Sequence, residues 1–361
     1  MRKPMLGHLD PEFHQILDEV SVMLGEVYRA REGAVLALPS TGTSGMEAGI
    51  VNLVGPGDTV VVGVSGYFSA RIAEMADRRG ARVVRVAAEW GQHVPNERLL
   101  DAVDGSGDVR LVAVVHGETS TGVEHPLQEL GTALRGSDAL LMADCVTTLG
   151  GVPLEFDAWG IDYAYSCTQK CLGAPPGLSP VALSPRALDW IASPQAPVPF
   201  SLDLPLLLRY WSERPAVYHH TAPILQIYAL HEALRLALEE GLEFRWQRHR
   251  SAGRRLAEGA SEAGLQVLAE EGHRLPPLTA LQVPEGVDGK AVQKQLVAEH
   301  GMEVGGALGP GTPPIWRVGL MGPNATQATA EHVLESLIGV LDTHREAYMP
   351  TVIASRSLTP S

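Results

Sequence analysis

Two stretches decide the architecture: Ala139-Leu-Leu-Met-Ala-Asp144, and Tyr163-Ala-Tyr-Ser-Cys-Thr-Gln-Lys170 with its continuation Cys171-Leu-Gly-Ala-Pro-Pro-Gly177. Each is a short apolar run that ends near a charged side chain. Apolar runs without polar alternation suit strands covered on both faces, as in parallel sheets. Ligands of such sheets bind outside the carboxyl ends of the strands. Asp144 and Lys170 are therefore expected to meet in one crevice.

The surrounding sequence repeats the pattern. Val35-Leu-Ala-Leu, Thr59-Val-Val-Val-Gly, Arg82-Val-Val-Arg-Val, Leu111-Val-Ala-Val-Val-His and Val181-Ala-Leu read as strands, and Met46–Val54 and Ser69–Arg79 read as helices. Ser40–Ser44, His116–Thr121, Asp144 and Lys170 all follow strands and are expected to converge. Ala187–Pro215 lacks periodicity and reads as a meander, and Gln226–Glu240 as a long helix. Beyond Gly241 comes a charged helix, Leu242–Ala263. Strand candidates follow at Gln266-Val-Leu, Leu278-Thr-Ala-Leu-Gln-Val and Ile315-Trp-Arg-Val-Gly, with helices at Gly289–His300 and Ala325–Asp342. The expected class is α/β: a large domain over 1–240 with a mostly parallel sheet between helices, a smaller α+β domain over 241–349, and a flexible tail over 350–361.

Bulk properties narrow the partners. The chain has 361 residues, more than one hydrophobic core usually supports. A formal charge of −14 and the lack of a basic stripe argue against nucleic acid. No apolar run is long enough to span a membrane. Met1-Arg-Lys is basic, but Pro4–Asp10 is not the apolar core of a secretory leader. The three cysteines, Cys145, Cys167 and Cys171, lie in or beside core strands, so a reduced, cytoplasmic protein is expected. Cys167 and Cys171 lack a second ligand pair at zinc-finger spacing, and no metal is expected.

The chemistry follows from residue types. A lysine amine and a carboxylate in one pocket suit pyridoxal 5'-phosphate: the amine forms a Schiff base with the cofactor aldehyde, and the carboxylate keeps the pyridine nitrogen protonated. Ser40-Thr-Gly-Thr-Ser-Gly opens a helix, where backbone N–H groups and the dipole favour a phosphate; a Ser/Thr-rich cap is the other reading. Asp144 alone reads equally as a capping residue, and Lys170 alone as a surface lysine. Phe68, after Tyr67, reads as core or as a ring stacked on a cofactor. Arg317, inside an apolar strand, needs an anionic partner: a structural carboxylate or a substrate carboxylate.

As a set, six stretches resemble the class V aminotransferases of fold type I, and are similar to the alanine-glyoxylate and serine-glyoxylate (serine-pyruvate) aminotransferases. They are Ser40-Thr-Gly-Thr-Ser-Gly-Met-Glu-Ala, His116-Gly-Glu-Thr-Ser-Thr-Gly, Asp144-Cys-Val-Thr-Thr-Leu-Gly-Gly, Ser166–Gly177, Tyr218-His-His-Thr-Ala-Pro and Trp316-Arg-Val-Gly-Leu-Met-Gly. The resemblance implies that Lys170 carries the cofactor and shuttles a proton. It implies that Asp144 holds the ring nitrogen, Val146 and Phe68 flank the ring, and Thr119 lies near the phenolic oxygen. Thr41, Gly42, Thr43 and Gln169 would bind the phosphate, Tyr218 and Thr221 the phosphate of a homodimer partner, and Arg317 the substrate α-carboxylate. The implied reaction moves an amino group from alanine or serine to glyoxylate or pyruvate by a ping-pong route. No second arginine marks a dicarboxylate site, although Arg71 or Arg209 could fold into one.

Two other functions compete. A cysteine desulfurase needs a cysteine on a mobile loop of the small domain, and none stands there. A non-catalytic subunit would have no use for Lys170 and Asp144. Relatives usually carry a Gly-Pro-Gly-Pro-type arm ahead of the match to Met5–Asp10, which the sequence from Met1 does not show.

Overall fold

The computed structural model describes residues 5–194, 196–215 and 217–356, with 345–356 as helical backbone only. The first part of the chain forms α1 (Pro11–Tyr28), β1 (Ala34–Leu38), α2 (Gly42–Leu53), β2 (Thr59–Val64), α3 (Tyr67–Arg78), β3 (Arg82–Ala87) and α4 (Asn96–Asp104). Next come β4 (Val109–Val115), β5 (Gly117–Glu118), β6 (Val123–Glu124), α5 (Leu127–Leu134), β7 (Leu140–Asp144), β8 (Tyr163–Tyr165), β9 (Ser179–Leu183) and α6 (Pro185–Ile191). The remainder is α7 (Leu204–Ser212), α8 (Ile224–Glu240), α9 (Leu242–Glu262), β10 (Leu278–Gln282), α10 (Gly289–His300), β11 (Ile315–Gly319) and α11 (Gln327–Arg356).

Seven strands form one sheet in the order β1-β9-β8-β7-β4-β2-β3. The run from β8 to β3 is parallel, and β9 runs antiparallel to both β8 and β1. The expected mostly parallel sheet is present, with β9 as its one reversal. No helix crosses the face between β8 and β9, so the chain returns beside β8 in the opposite sense. That uncrossed connection carries Lys170. A second, two-stranded sheet pairs β10 with β11 and sets Arg317 opposite Ala280.

Several sequence expectations shift. Helix α2 starts at Gly42, ahead of Met46, so the Ser/Thr/Gly segment is itself the first turn. The supposed meander holds α6 and α7. Ser184 and Asp203 cap them by accepting from Ala187 N and Leu206 N, and each has a proline in its first turn. Gln266-Val-Leu makes only an isolated bridge, Val267 to Leu281. Helix α11 is assigned through Arg356, into the stretch expected to fray, and 357–361 lie outside the described residues.

The buried apolar side chains fall into two main clusters. The larger runs from Phe13 on α1 to Trp246 on α9 and encloses the seven-stranded sheet. The smaller runs from Ala252 to Leu341 around Trp316, whose Nε1 donates to Gly289 O at 3.0 Å. Among the described residues no helix is long and apolar enough to cross a membrane.

Helix α2 lies tightly on β8 and β9 through its glycines. A Cβ at Gly45 would come within 2.1 Å of Ser179 Oγ, and one at Gly49 within 2.5 Å of the Tyr163 ring. That ring cannot yield easily, because Tyr163 is fully buried and its hydroxyl donates to Gly45 O at 2.7 Å. Glycine to alanine inside a helix ordinarily gains ~1 kcal/mol. Overpacking costs ~1–3 kcal/mol, so Gly49→Ala should lower the thermal unfolding midpoint by a few degrees. A raised midpoint would show that Tyr163 moves aside freely.

Candidate active site

Asp144 ends β7 and is buried. Its Oδ1 accepts from Val146 N at 2.8 Å, and its Oδ2 accepts from the Tyr165 hydroxyl at 2.6 Å. The parallel register places Asp144 directly beside Tyr165 on β8. Burial nonetheless lifts the carboxyl to about 7, against the pull of both hydrogen bonds. Sequence reading gives Tyr165 no role, although it stands in the same quoted run as Lys170.

Lys170 follows β8 in a tight loop. Its carbonyl accepts from Gly173 N at 3.0 Å, and Thr168 Oγ1 donates to Pro175 O at 2.6 Å. The Lys170 side chain is half-buried, and its amine makes no hydrogen bond or ion pair with a described residue. The loop is gripped from α9. Arg245, itself buried, donates to Gly150 O and Cys171 O and pairs with Glu240. Arg248 pairs with the same Glu240 and donates to Gly322 O and Ala325 O, while His249 Nε2 accepts from Gly322 N at 3.0 Å. The charged face of α9 thus ties the lysine loop to the turn after β11.

The N-terminus of α2 arrives from the other side. A Cβ at Gly42 would meet Val146 Cγ2 at 2.9 Å and Cys167 Cβ at 3.3 Å. Glycine therefore lets this helix end reach the loops that carry Asp144 and Lys170. Thr41 is the N-cap but makes no side-chain cap bond, and the amides of Gly42 and Thr43 have no acceptor among the described residues. Thr43 Oγ1 accepts from Arg71 at 3.4 Å, and the Arg71 guanidinium lies 4.9 and 5.2 Å from the Tyr67 and Phe68 ring centres. Arg71 does fold into the crevice, on the α2 side. Arg209 of α7 pairs with Glu213, the C-cap residue that ends that helix.

Phe68 owes its position to a residue to which the sequence assigned no role. Helix α3 begins after Gly66, which has no side chain to cap it. Glu118 of β5 caps the helix instead. Fully buried, it accepts from Phe68 N at 3.1 Å, Ser69 N at 2.9 Å, Ser69 Oγ at 3.0 Å and Ser120 Oγ at 2.6 Å. A carboxylate at a helix N-terminus is favoured by the dipole as well. Any Cβ at Gly66 would strike Glu118 at 2.6 Å. Next along the hairpin, Thr119 offers its carbonyl to Arg317 Nη1 at 3.3 Å, and Arg317 Nε donates to Gly306 O at 2.7 Å. Nη2 of the half-buried Arg317 has no protein acceptor among the described residues.

Contacts thus join Thr41, Gly42 and Thr43 at the start of α2 to Val146 and Asp144, to Phe68 through Arg71, and Thr119 to Arg317, with Lys170 on the adjoining loop after β8, all at the carboxyl ends of the strands. Gln169 is exposed on the lysine loop. Tyr218 and Thr221 are exposed and make no hydrogen bond or ring contact with this group; Tyr218 packs against His8, with ring centres 5.7 Å apart. All three cysteines are buried and free, and burial raises each thiol. A separate cleft of about 1060 Å³ opens at the other end of the strands, between Asp58, Arg82, Arg110 and Arg186, and holds none of these residues.

Pyridoxal phosphate fits the residues present. A ring cation beside Asp144 would relieve the burial that raises its carboxyl. Free amides at a helix N-terminus suit a phosphate, and the unpaired amine of Lys170 is available to an aldehyde.

The family model for class-V aminotransferases matches residues 2–312. The chain is 36% identical over 363 residues to the (S)-ureidoglycine-glyoxylate transaminase of Bacillus subtilis, covering 95% of this chain and 87% of that protein. It is 37% identical over 337 residues to the alanine-glyoxylate aminotransferase of Callithrix jacchus, covering 92% and 81%. The crystal structure of an alanine-glyoxylate aminotransferase from Nostoc sp. superposes with a TM-score of 0.90 at 44% identity, covering 94% of this chain and 90% of that one.

The raised Asp144 carboxyl has a signed consequence. Its folded value, about 7, exceeds the ordinary 3.8, so the stability it lends the apoprotein is complete below 3.8, declines as pH rises, and is gone above about 7. Asp144→Asn removes that loss. Apo Asp144→Asn should gain stability over apo wild type as pH rises to about 7 and hold the gain above it, while binding the cofactor at least tenfold more weakly. Thermal melts across this pH range and cofactor titration read both effects. Parallel melting curves for the two apoproteins would contradict the burial argument.

Proposed function

Because the chain belongs to the class V aminotransferases and is pyridoxal-phosphate dependent, we propose that it moves the amino group of a small amino acid, alanine or serine, to glyoxylate. The observation that carries this reading is the combination of an unpaired lysine amine with a buried carboxylate at the ends of adjacent parallel strands. Glyoxylate stands in the names of both curated relatives, while their amino donors differ. Pyruvate is the second acceptor to test, and the Bacillus subtilis relative adds (S)-ureidoglycine as a second donor.

When bound, pyridoxal phosphate supplies an aldehyde that condenses with amines and a ring that withdraws electrons. Lys170 would hold it, and its Nζ, when free, would take the proton from the substrate Cα. Asp144 keeps a proton on the ring nitrogen, with Tyr165 and Val146 N fixing its two oxygens. Phe68 and Val146 would flank the ring, and Thr119 would lie beside its phenolic oxygen. The α2 amides, Thr41, Gly42, Thr43 and Gln169 would hold the phosphate, with Arg71 adding positive charge. Arg317 presents Nη2 to the α-carboxylate, which all donors and acceptors share. The amino acid yields its nitrogen in one half-reaction, and the 2-oxo acid takes it in the other.

We also propose a homodimer. Met5, Leu9, Phe200 and Tyr218 are exposed apolar side chains, at 64%, 50%, 66% and 60%. They lie around one surface, because Tyr218 packs on His8 and the next residue, His219, stacks on Phe200. A partner covering that surface would receive Tyr218 and Thr221 at its phosphate. A division into a large and a small domain suits the two apolar clusters, which part within α9 between Trp246 and Ala252, a few residues beyond the expected 240/241. Three buried free thiols suit a reducing compartment, and we place the protein in the cytoplasm.

In a matrix of donors against acceptors, alanine or serine with glyoxylate should give the highest kcat/KM, and Lys170→Ala should abolish turnover. Sulfide release from cysteine, or wild-type turnover by the Lys170→Ala protein, would refute the assignment. Shared sites predict complementation. Refolding Lys170→Ala chains together with Tyr218→Ala/Thr221→Ala chains should give hybrids more active than either parent. Activity equal to the parents' average would place each site within one chain.

A further inference from the structure

A second cluster of donor side chains lies apart from the crevice, between the loop after β3 and the turn before β10. His93, Glu270 and His273 each bring one ligand atom within 4.8 Å of the other two. The imidazoles of His93 and His273 stack with centroids 3.6 Å apart and planes 13° from parallel, and Glu270 Oε1 lies 2.5 Å from His93 Nδ1. All three are partly exposed, so a solvated ion can reach them.

The backbone beneath them is fixed. Glu270 N donates to Gly91 O at 2.9 Å, and His93 N donates to Glu270 Oε1 at 2.7 Å. His273 N donates to Glu270 O at 3.2 Å, and Glu124 N donates to His273 O at 2.8 Å. Gly91 makes the approach feasible: its φ is +88°, and a Cβ there would lie 2.3 Å from Leu268 O. His273 Nδ1 lies 3.3 Å from Glu124 O. An imidazole that donates through Nδ1 to a backbone carbonyl offers its Nε2 lone pair outward, the orientation that histidine metal ligands adopt. A further imidazole, His125, is centred 6.4 Å from His93, and its buried Nε2 has no partner.

We propose that His93, Glu270 and His273 form a binding site for a divalent transition metal, with zinc as its natural occupant. Two neutral imidazoles and one carboxylate make a borderline-soft donor set that suits zinc and leaves a fourth position for water. Zinc binds such atoms at ~2.0–2.2 Å, so the donors must draw in from 4.8 Å; side-chain rotations of three partly exposed residues supply that contraction. The bound ion clasps the loop after the edge strand of the large sheet to the segment leading into β10. Through the pairing of Val123 with Arg274 it also braces the β5–β6 hairpin, which bears Glu118 and Thr119.

The test uses tag-free holoenzyme stripped of metal by chelator and equilibrated with zinc chloride alone. One zinc per chain above background, together with a higher thermal midpoint, is expected for the wild type. Cobalt chloride should give the visible absorption of a four-coordinate site. His273→Gln and His93→Gln should each lose that equivalent, at least a tenfold fall in affinity. Glu270→Gln keeps the size and the acceptor for His93 N, and carries the test if a histidine variant fails to fold. The cofactor's yellow colour, unchanged throughout, shows that the Lys170 crevice is intact. No stoichiometric zinc in the wild type, or equal zinc in the wild type and all folded variants, overturns the proposal.

Discussion

Asp144 sets the terms for the structure around it. A carboxyl held at about 7 instead of 3.8 represents on the order of 4 kcal/mol of unfavourable burial when ionised. Such a group persists in a core only where its partners are in place. Two of them come from the chain: the Tyr165 hydroxyl, delivered by the register of β7 against β8, and the amide of Val146. The cationic ring nitrogen of the cofactor, in the function proposed above, would be the third. The glycines that bring α2 down onto the same loops, and the uncrossed return from β8 to β9, all serve this one spot.

A second carboxylate shows the opposite condition. Glu118 is as buried as Asp144, yet it meets two helix amides, two hydroxyls and the positive end of α3. It is a fixture, whereas Asp144 retains an unmet need. One strains toward a ligand, and the other holds the wall that carries Phe68.

Much of this was legible in the sequence because the relevant physics is local. Lys170, Asp144 and Ser40–Ser44 follow apolar strand runs, and strand ends in a parallel sheet are where a crevice forms. Arg317 stood out because a guanidinium inside an apolar strand demands an anion. What escaped the reading depends on contacts distant in sequence. Glu118 caps a helix that starts far upstream, and Tyr165 matters only through its register against β7. The reversal of β9 follows from a connection without a helix, which composition does not display. Helix α2 began earlier than expected because its Ser/Thr/Gly turn looked like a loop. The α6 and α7 starts were written in Ser184-Pro185 and Asp203-Leu204-Pro205, but short helices among prolines leave little periodicity.

The grip of α9 has a geometric corollary. Arg245 holds the peptide after Lys170, while Arg248 and His249 hold the turn just beyond the strand that presents Arg317. One helix thereby sets the spacing between the loop of Lys170 and the turn beyond Arg317, the residues proposed above as proton acceptor and acid anchor. That spacing is common to every α-amino acid, whatever its side chain. A fixed ruler of this kind accepts any donor backbone, so discrimination among donors falls to the surfaces that face the variable substituent.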